Sequence, residues 1–227
     1  MTSQAVLLVG SPRGESSTSS SLGAYLMARL EGKGWGCVRH DIGSTVQSIS
    51  DFEEMFADME GAQLVVLAAP LYFDSLPAPV IQFMELYGVR GSIRTADGPR
   101  FCLIVNCGFP EDQNQLAVEI AQHFATANGM NWCGSLSMGQ GAIIWGKGLE
   151  EMGRRTRRVR SALDRSADLL AEGKCIPEGV SRSFSKGMVP AFLYRYMVNK
   201  GWESAGKRNK ARNLKARPFL RAPPPKK

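Results

Sequence analysis

Two histidines, no CxxC or CxxxC pair and no GxSxG elbow remove several common chemistries from this 227-residue chain. The five cysteines (Cys37, Cys102, Cys107, Cys133 and Cys175) are odd in number and scattered, so no disulfide framework and no local zinc or iron–sulfur site is encoded. A reducing cytoplasm suits them. Without a GxSxG turn a serine hydrolase is disfavoured. No apolar stretch approaches a membrane span. Met1 to Gln4 lacks a basic n-region and Ala5–Val9 is too short for an h-region, so the sequence reads as cytoplasmic. Of the two histidines, His40 falls at a predicted strand end and His123 inside a predicted helix, and both read as structural.

Charge is present in quantity, but it is segregated. Residues 1–150 hold 8 Lys and Arg against 15 Asp and Glu, while the rest of the chain holds 20 against 6. An acidic body therefore continues into a strongly basic C-terminal third, which calls for an anionic partner or for the acidic body itself. Hydrophobic residues at 44% and charged residues at 22% are ordinary globular usage.

From Ala5 to Met138 short apolar runs alternate with turn residues and longer segments of helical spacing. The predicted strands are 5–9, 36–40, 64–69, 101–106 and 132–138. The predicted helices are 19–31, 51–61, 78–88, 113–128 and 149–172, the second capped by Ser50 and Asp51. Such alternation is the signature of a doubly wound parallel sheet with helices on both faces. After Pro177 Gly, Ser and Pro become frequent, so a domain of residues 1–176 is expected to end there. Residues 177–227 then form a basic extension, with a helix over 188–202 and an arm or frayed tail from Lys207.

In such sheets ligands bind outside the carboxyl ends of the strands, where strand order reverses. The loop after the first strand carries Gly10, Ser11, Pro12, Arg13, Gly14, Ser16, Ser17 and Thr18 ahead of a helix N-terminus. Hydroxyls, one guanidinium and the free N–H groups of a first helical turn make a cradle for a monophosphate. GxGxxG is absent from it, which disfavours a dinucleotide-type site. The loop after the third strand (Pro70, Leu71, Tyr72, Phe73) and that after the fourth (Asn106, Cys107, Gly108, Phe109) supply aromatic rings and open backbone for a flat heterocycle. Gly141 to Gly148 nearly matches a Walker A loop. Gly148 replaces the Ser or Thr that would hold magnesium, and Ile143, Ile144 and Trp145 crowd the turn, so the match reads as coincidence.

The combination of Gly10–Arg13 with Ser17 and Thr18, and Ala69–Pro77 with its Tyr72 and Phe73, resembles the NADPH-dependent FMN reductase family. Asn106–Glu111 and Gly134–Gly141 are similar to a bacterial branch of that family. The resemblance covers about residues 5–172 and, more loosely, 202–219. It implies a flavodoxin-like five-stranded sheet in the order 2-1-3-4-5. It also implies FMN as bound cofactor, NAD(P)H as co-substrate, and hydride transfer onward to a quinone, flavin or other small-molecule acceptor. By it Ser11, Arg13, Ser16, Ser17 and Thr18 hold the FMN phosphate. Pro70, Leu71, Tyr72 and Phe73 border the ring, and Asn106, Cys107, Gly108 and Phe109 close its other side. Ser17 stands where many relatives carry Asn. Related iron–sulfur flavoproteins carry a compact cysteine cluster, which this chain lacks, so no metal is implied.

No residue is singled out as catalytic, because in flavin chemistry the cofactor supplies the reacting atoms. A flavodoxin-type electron carrier is the alternative to an enzyme. Residues 182–227, with 13 Lys and Arg and one acidic residue, make contact with nucleic acid or an anionic membrane a further alternative. Packing of this extension on the body or on a second subunit of a homodimer or larger homo-oligomer is preferred, since most of its aromatic residues precede its densest charge.

Overall fold

The computed structural model describes residues 3–42, 49–90, 98–110, 112–211 and 214. Five strands, β1 (Gln4–Val9), β2 (Gly36–Asp41), β3 (Leu64–Pro70), β4 (Arg100–Asn106) and β5 (Asn131–Met138), form one sheet in the order β2-β1-β3-β4-β5. Every pairing is parallel. β1, β3 and β4 are the inner strands and are buried almost throughout, which is why they read as continuous apolar runs.

Alternate residues feed two separate cores. Val6 and Leu8, with Val65, Leu67, Leu103 and Val105, face α2 (Ile49–Gly61), α3 (Ala78–Arg90) and α4 (Gln115–Ala127). That side holds an aromatic cluster in which Phe56, Phe83, Tyr87 and Phe124 stand 5.1 to 6.3 Å apart, centroid to centroid. Ala5, Leu7 and Val9 face α1 (Thr18–Glu31), α5 (Arg157–Ala171) and α6 (Glu178–Ser185) on the other side. Burial of this kind, at roughly 1.5–3 kcal/mol per large side chain, is the main favourable term in the fold.

Three expectations change. The predicted helix over 149–172 begins as a 3-10 turn at Gly153–Thr156 and becomes helical only from Arg157. Gly153 takes a φ of +57°, a conformation closed to most side chains, and the Thr156 hydroxyl donates back to Leu149 O at 2.5 Å, closing that turn. Second, α6 lies inside the stretch expected to be a separate extension. Ile176 N–H bonds Cys133 O at 2.9 Å, the Ser181 hydroxyl bonds Ser135 O, and Phe184 is fully buried in the second core. The first compact unit therefore runs from Met1 to Met188, past the boundary expected after residue 176, and the second is Val189–Lys227. Third, the helix expected over 188–202 is α7 (Ala191–Arg208), which starts after Pro190, where proline's fixed φ suits a helix start, and continues further than expected.

The side chains of Ser50 and Asp51, Glu111, and most of the arm after Lys207 lie outside the described residues. Among the described residues no helix is long and apolar enough to cross a membrane.

Candidate functional site

β1 leaves the sheet at Gly10, whose N–H is held by Ala68 O at 2.8 Å. A Cβ at Gly10 would stand 2.4 Å from Val80 Cγ2, so only glycine lets the strand end nest against α3. The chain turns through Ser11, whose hydroxyl accepts from Arg13 N–H at 3.3 Å, and a 3-10 turn at Gly14–Ser16. Ser17 then caps α1. Its Oγ accepts from Ser20 N–H at 3.1 Å and donates to Gly14 O at 2.7 Å.

Two donors are left over at that helix start. Among the described residues no acceptor meets the Thr18 or Ser19 N–H, the first two amides of α1, which have no partner one turn back. Both residues line a cleft of about 140 Å³ at the positive end of the helix dipole. The Thr18 hydroxyl is committed elsewhere, to Gly141 O at 2.8 Å, and the Ser19 hydroxyl accepts from Asn106 Nδ2 at 2.8 Å.

The loops after β3 and β4 meet the same cleft. Leu71 N–H bonds Asn106 O at 2.8 Å, which ties the two loops together beyond the last strand pair, Pro70 and Asn106. Cys107 N–H bonds Met138 O at 3.0 Å, and Gly141 N–H bonds Cys107 O at 2.8 Å. A Cβ at Gly141 would sit 2.6 Å from Asn106 Oδ1, so this floor also demands glycine. Burial pushes the Cys107 thiol above its ordinary pKa, against the hydrogen bonding of neighbouring backbone groups, which leaves it neutral near pH 7.

Of the thirteen expected site residues, ten line the cleft: Ser11, Arg13, Ser17 and Thr18 from the first loop, Pro70, Leu71 and Tyr72 from the second, and Asn106, Cys107 and Gly108 from the third. Ser16, Phe73 and Phe109 do not. Ser16 lies on the outer side of its turn, where its carbonyl accepts from Arg13 Nη2 at 2.9 Å. Phe73 and Asp74 form the tip of a two-residue hairpin closed by Tyr72 and Ser75, with φ of +49° and +59°, and the Phe73 ring is fully exposed. That geometry favours Asn-Gly and strains a bulky residue. Phe109 is half exposed, and its carbonyl accepts from Gln140 N–H at 2.7 Å.

The loop after β5, dismissed as a chance Walker-like string, forms the fourth wall through Gly141, Ala142 and Trp145. The Arg13 guanidinium stacks 4.0 Å above the Trp145 ring, and a Cβ at Gly146 would strike the Ser16 backbone at 2.6 Å. Its Gly-rich composition thus serves close packing against the first loop. Ser19, which directly follows the expected Thr18 and belongs to the same hydroxyl-rich run, also lines the cleft. Arg13 carries the one charge among the described lining residues, so the cleft is suited to an anion held mainly by neutral donors. His40 pairs with Asp58 at 2.7 Å, and neither it nor His123 lines the cleft.

The sheet order and the helices on both faces make this a flavodoxin-like protein, with its cleft at the switch point between β1 and β3. Solved structures agree on the fold. An FMN-dependent NADH-azoreductase from Bacillus anthracis str. Ames Ancestor, in complex with FMN, aligns at a TM-score of 0.54 and 11% identity over 74% of this chain and 99% of that one. A flavodoxin from Streptococcus pneumonia TIGR4 aligns at 0.53 and 16% identity over 75% and 99%. An apo NADH:FMN oxidoreductase aligns at 0.55 and 15% identity over 79% and 94%. No protein-family model matches the chain, and neither does any curated protein.

Proposed function

We propose that the cleft binds FMN and that the protein is an NAD(P)H-dependent flavin oxidoreductase delivering electrons to a small-molecule acceptor. The observation that carries this reading is the pair of Thr18 and Ser19 amides, without an acceptor among the described residues, on the wall of a cleft where the loops after β1, β3 and β4 converge. A phosphate fits there because two backbone donors at a helix N-terminus and the Arg13 guanidinium satisfy its oxygens, while the Ser11 hydroxyl, which only accepts from Arg13 N–H, can donate to it as well. Gly141, where a Cβ would collide with Asn106 Oδ1, leaves the floor of the cleft without a side chain.

In this reading Asn106 and Gly141 would hold the ribityl chain, and Tyr72 and Gly108 would border the ring. Tyr72 would offer a partly exposed aromatic ring and Leu71 a largely buried apolar side chain, and Cys107 stays protonated. When bound, FMN supplies the ring that accepts a hydride. The structural neighbours described as FMN-dependent NADH enzymes support the reading at the level of fold. The choice between NADH and NADPH, the acceptor, and a homo-oligomeric assembly belong to the same proposal.

The test has two stages. The protein is mixed with FMN and desalted, then titrated anaerobically with NADH and NADPH while flavin absorbance is followed. Retention of one flavin per chain and bleaching by either nucleotide are expected. Retention without bleaching would make the protein a carrier of the flavodoxin kind, and no retention at micromolar concentrations would remove the flavin role.

A further inference from the structure

Among the described residues, six cations of the first unit pair with carboxylates. Arg29 pairs with Glu150 and Asp164, Lys33 with Asp168, Arg39 with Asp41, and Arg90 with Glu53 and Glu60. Lys174 and Arg182 likewise have their glutamates. Of the cations outside such pairs, one group is gathered in a single place. Arg154, Arg155, Arg157, Arg158 and Lys186 all line a single concavity of about 410 Å³ between the start of α5 and the end of α6. No carboxylate lines it, and among the described residues none of the five has an ion pair or a side-chain hydrogen bond.

Chain geometry holds these charges together against their repulsion. Arg154 and Arg158 are four apart across a turn that continues into α5, a spacing at which like charges destabilise a helix. The turn itself is braced: Arg160 Nη2 donates to Gly153 O at 3.0 Å, and the Thr156 hydroxyl is spent on Leu149 O. Consequently no side chain caps the first turn of α5, and its dipole adds to the positive field. Ser161 and Ser183 bring two hydroxyl donors to the walls.

We infer that this pocket is a binding site for a small anion bearing two or more clustered phosphate groups. Four planar guanidinium forks match phosphate oxygens in bidentate geometry, and a di- or triphosphate presents more charge and more acceptor oxygens in one small volume than a carboxylate cluster of similar size. Five cations around one concavity suit the charge of a di- or triphosphate. A nucleic-acid duplex is better served by cations spread along a surface stripe. The pocket shares no lining residue with the flavin cleft, so the inference stands independently of the function proposed above.

The experiment is calorimetric titration of the full chain with inorganic tripolyphosphate, with citrate as a carboxylate of comparable charge and a short DNA duplex as polyanion. It is repeated on the double variant Arg154→Ser/Arg158→Ser and on Arg182→Ser, which alters a paired arginine outside the pocket. One tripolyphosphate per chain is expected, bound at least about tenfold more tightly than citrate and weakened about tenfold or more by the double variant alone. An unchanged thermal unfolding midpoint in the double variant would show that its fold is intact. Competition by a nucleoside triphosphate or NADPH would identify a free nucleotide as the source of the phosphates. Competition only by vesicles of phosphatidylcholine containing a phosphoinositide would identify a lipid headgroup. Equal affinity for citrate, indifference to the double variant, or binding of the duplex without measurable tripolyphosphate affinity would each overturn the inference.

Discussion

Replacing Thr18 by proline isolates the backbone amide on which the phosphate cradle depends. Thr18 is the first residue of α1, a position whose N–H has no intrahelical acceptor and where proline's φ already matches the helix. The residue before a proline must be extended, and Ser17 already is, with φ −107° and ψ 152°. Thr18→Pro therefore deletes one donor without breaking the helix. It also deletes the hydroxyl that donates to the buried Gly141 O, so Thr18→Val is the matched control.

Both variants lose that buried hydrogen bond, and both are expected to lose about 1–3 kcal/mol of stability as apoproteins. Proline returns up to about 1 kcal/mol by restricting the unfolded chain, so Thr18→Pro is expected to be at least as stable as Thr18→Val. FMN affinity separates them. A hydrogen bond to a charged acceptor contributes about 1.5–3 kcal/mol, so Thr18→Pro is expected to bind FMN about 10- to 150-fold more weakly than Thr18→Val. Flavin fluorescence quenching gives the dissociation constants, and urea unfolding gives the stabilities. If the two variants bind FMN equally, the phosphate does not rest on that amide and the placement of the cofactor is wrong.

Other consequences are as direct. Gly10→Ala is expected to cost about 1–3 kcal/mol through overpacking against Val80 and Ala69, and adding Val80→Ala is expected to recover part of that loss in urea unfolding. Trp145 lines the cleft beneath Arg13, so FMN binding is expected to quench tryptophan emission, and Trp145→Phe removes most of the quenched component. Burial pushes Cys37 up to about 11 and Cys133 up to about 12 from an ordinary 9.0, so above pH 9 the unfolded chain has lost protons that the folded one keeps. Stability is thus expected to be full below pH 9 and to fall as pH rises toward 11, with a smaller fall in Cys37→Ser, measured as urea midpoints on either side of pH 9. Alkylation near neutral pH is expected at exposed Cys175 before buried Cys107 or Cys102.

The sheet was legible because inner strands announce themselves: Leu64–Ala69 and Phe101–Val105 are buried on both faces and carry no charge. Loop positions at the carboxyl ends of β1, β3 and β4 followed from the switch-point rule, and most of the expected lining residues came from them. The misses have local causes. Phe73 was expected against the ring because it is aromatic and adjacent to Tyr72, but a two-residue hairpin sends its side chain to the tip. Such a turn normally declares itself through Asn-Gly, and Phe-Asp gives no such signal. Trp145 was missed because its glycines suggested a nucleotide loop and then failed that test, and their true role, approach to Ser16, is visible only in three dimensions. α6 carries just two apolar residues at helical spacing, Val180 and Phe184, too few to stand out from a stretch rich in Gly and Ser.

The interlock between the first and fifth loops has a temporal side. Thr18 is fastened to Gly141, Arg13 lies over Trp145, and Ser16 abuts Gly146, so a hole begun within the first twenty residues is finished by residues more than a hundred positions downstream. A nascent chain emerging from the ribosome possesses the amides long before it possesses the wall behind them. Any ligand taken up there is consequently a passenger that boards after β5 has docked, and it can reward completed molecules but cannot guide the early steps of their folding.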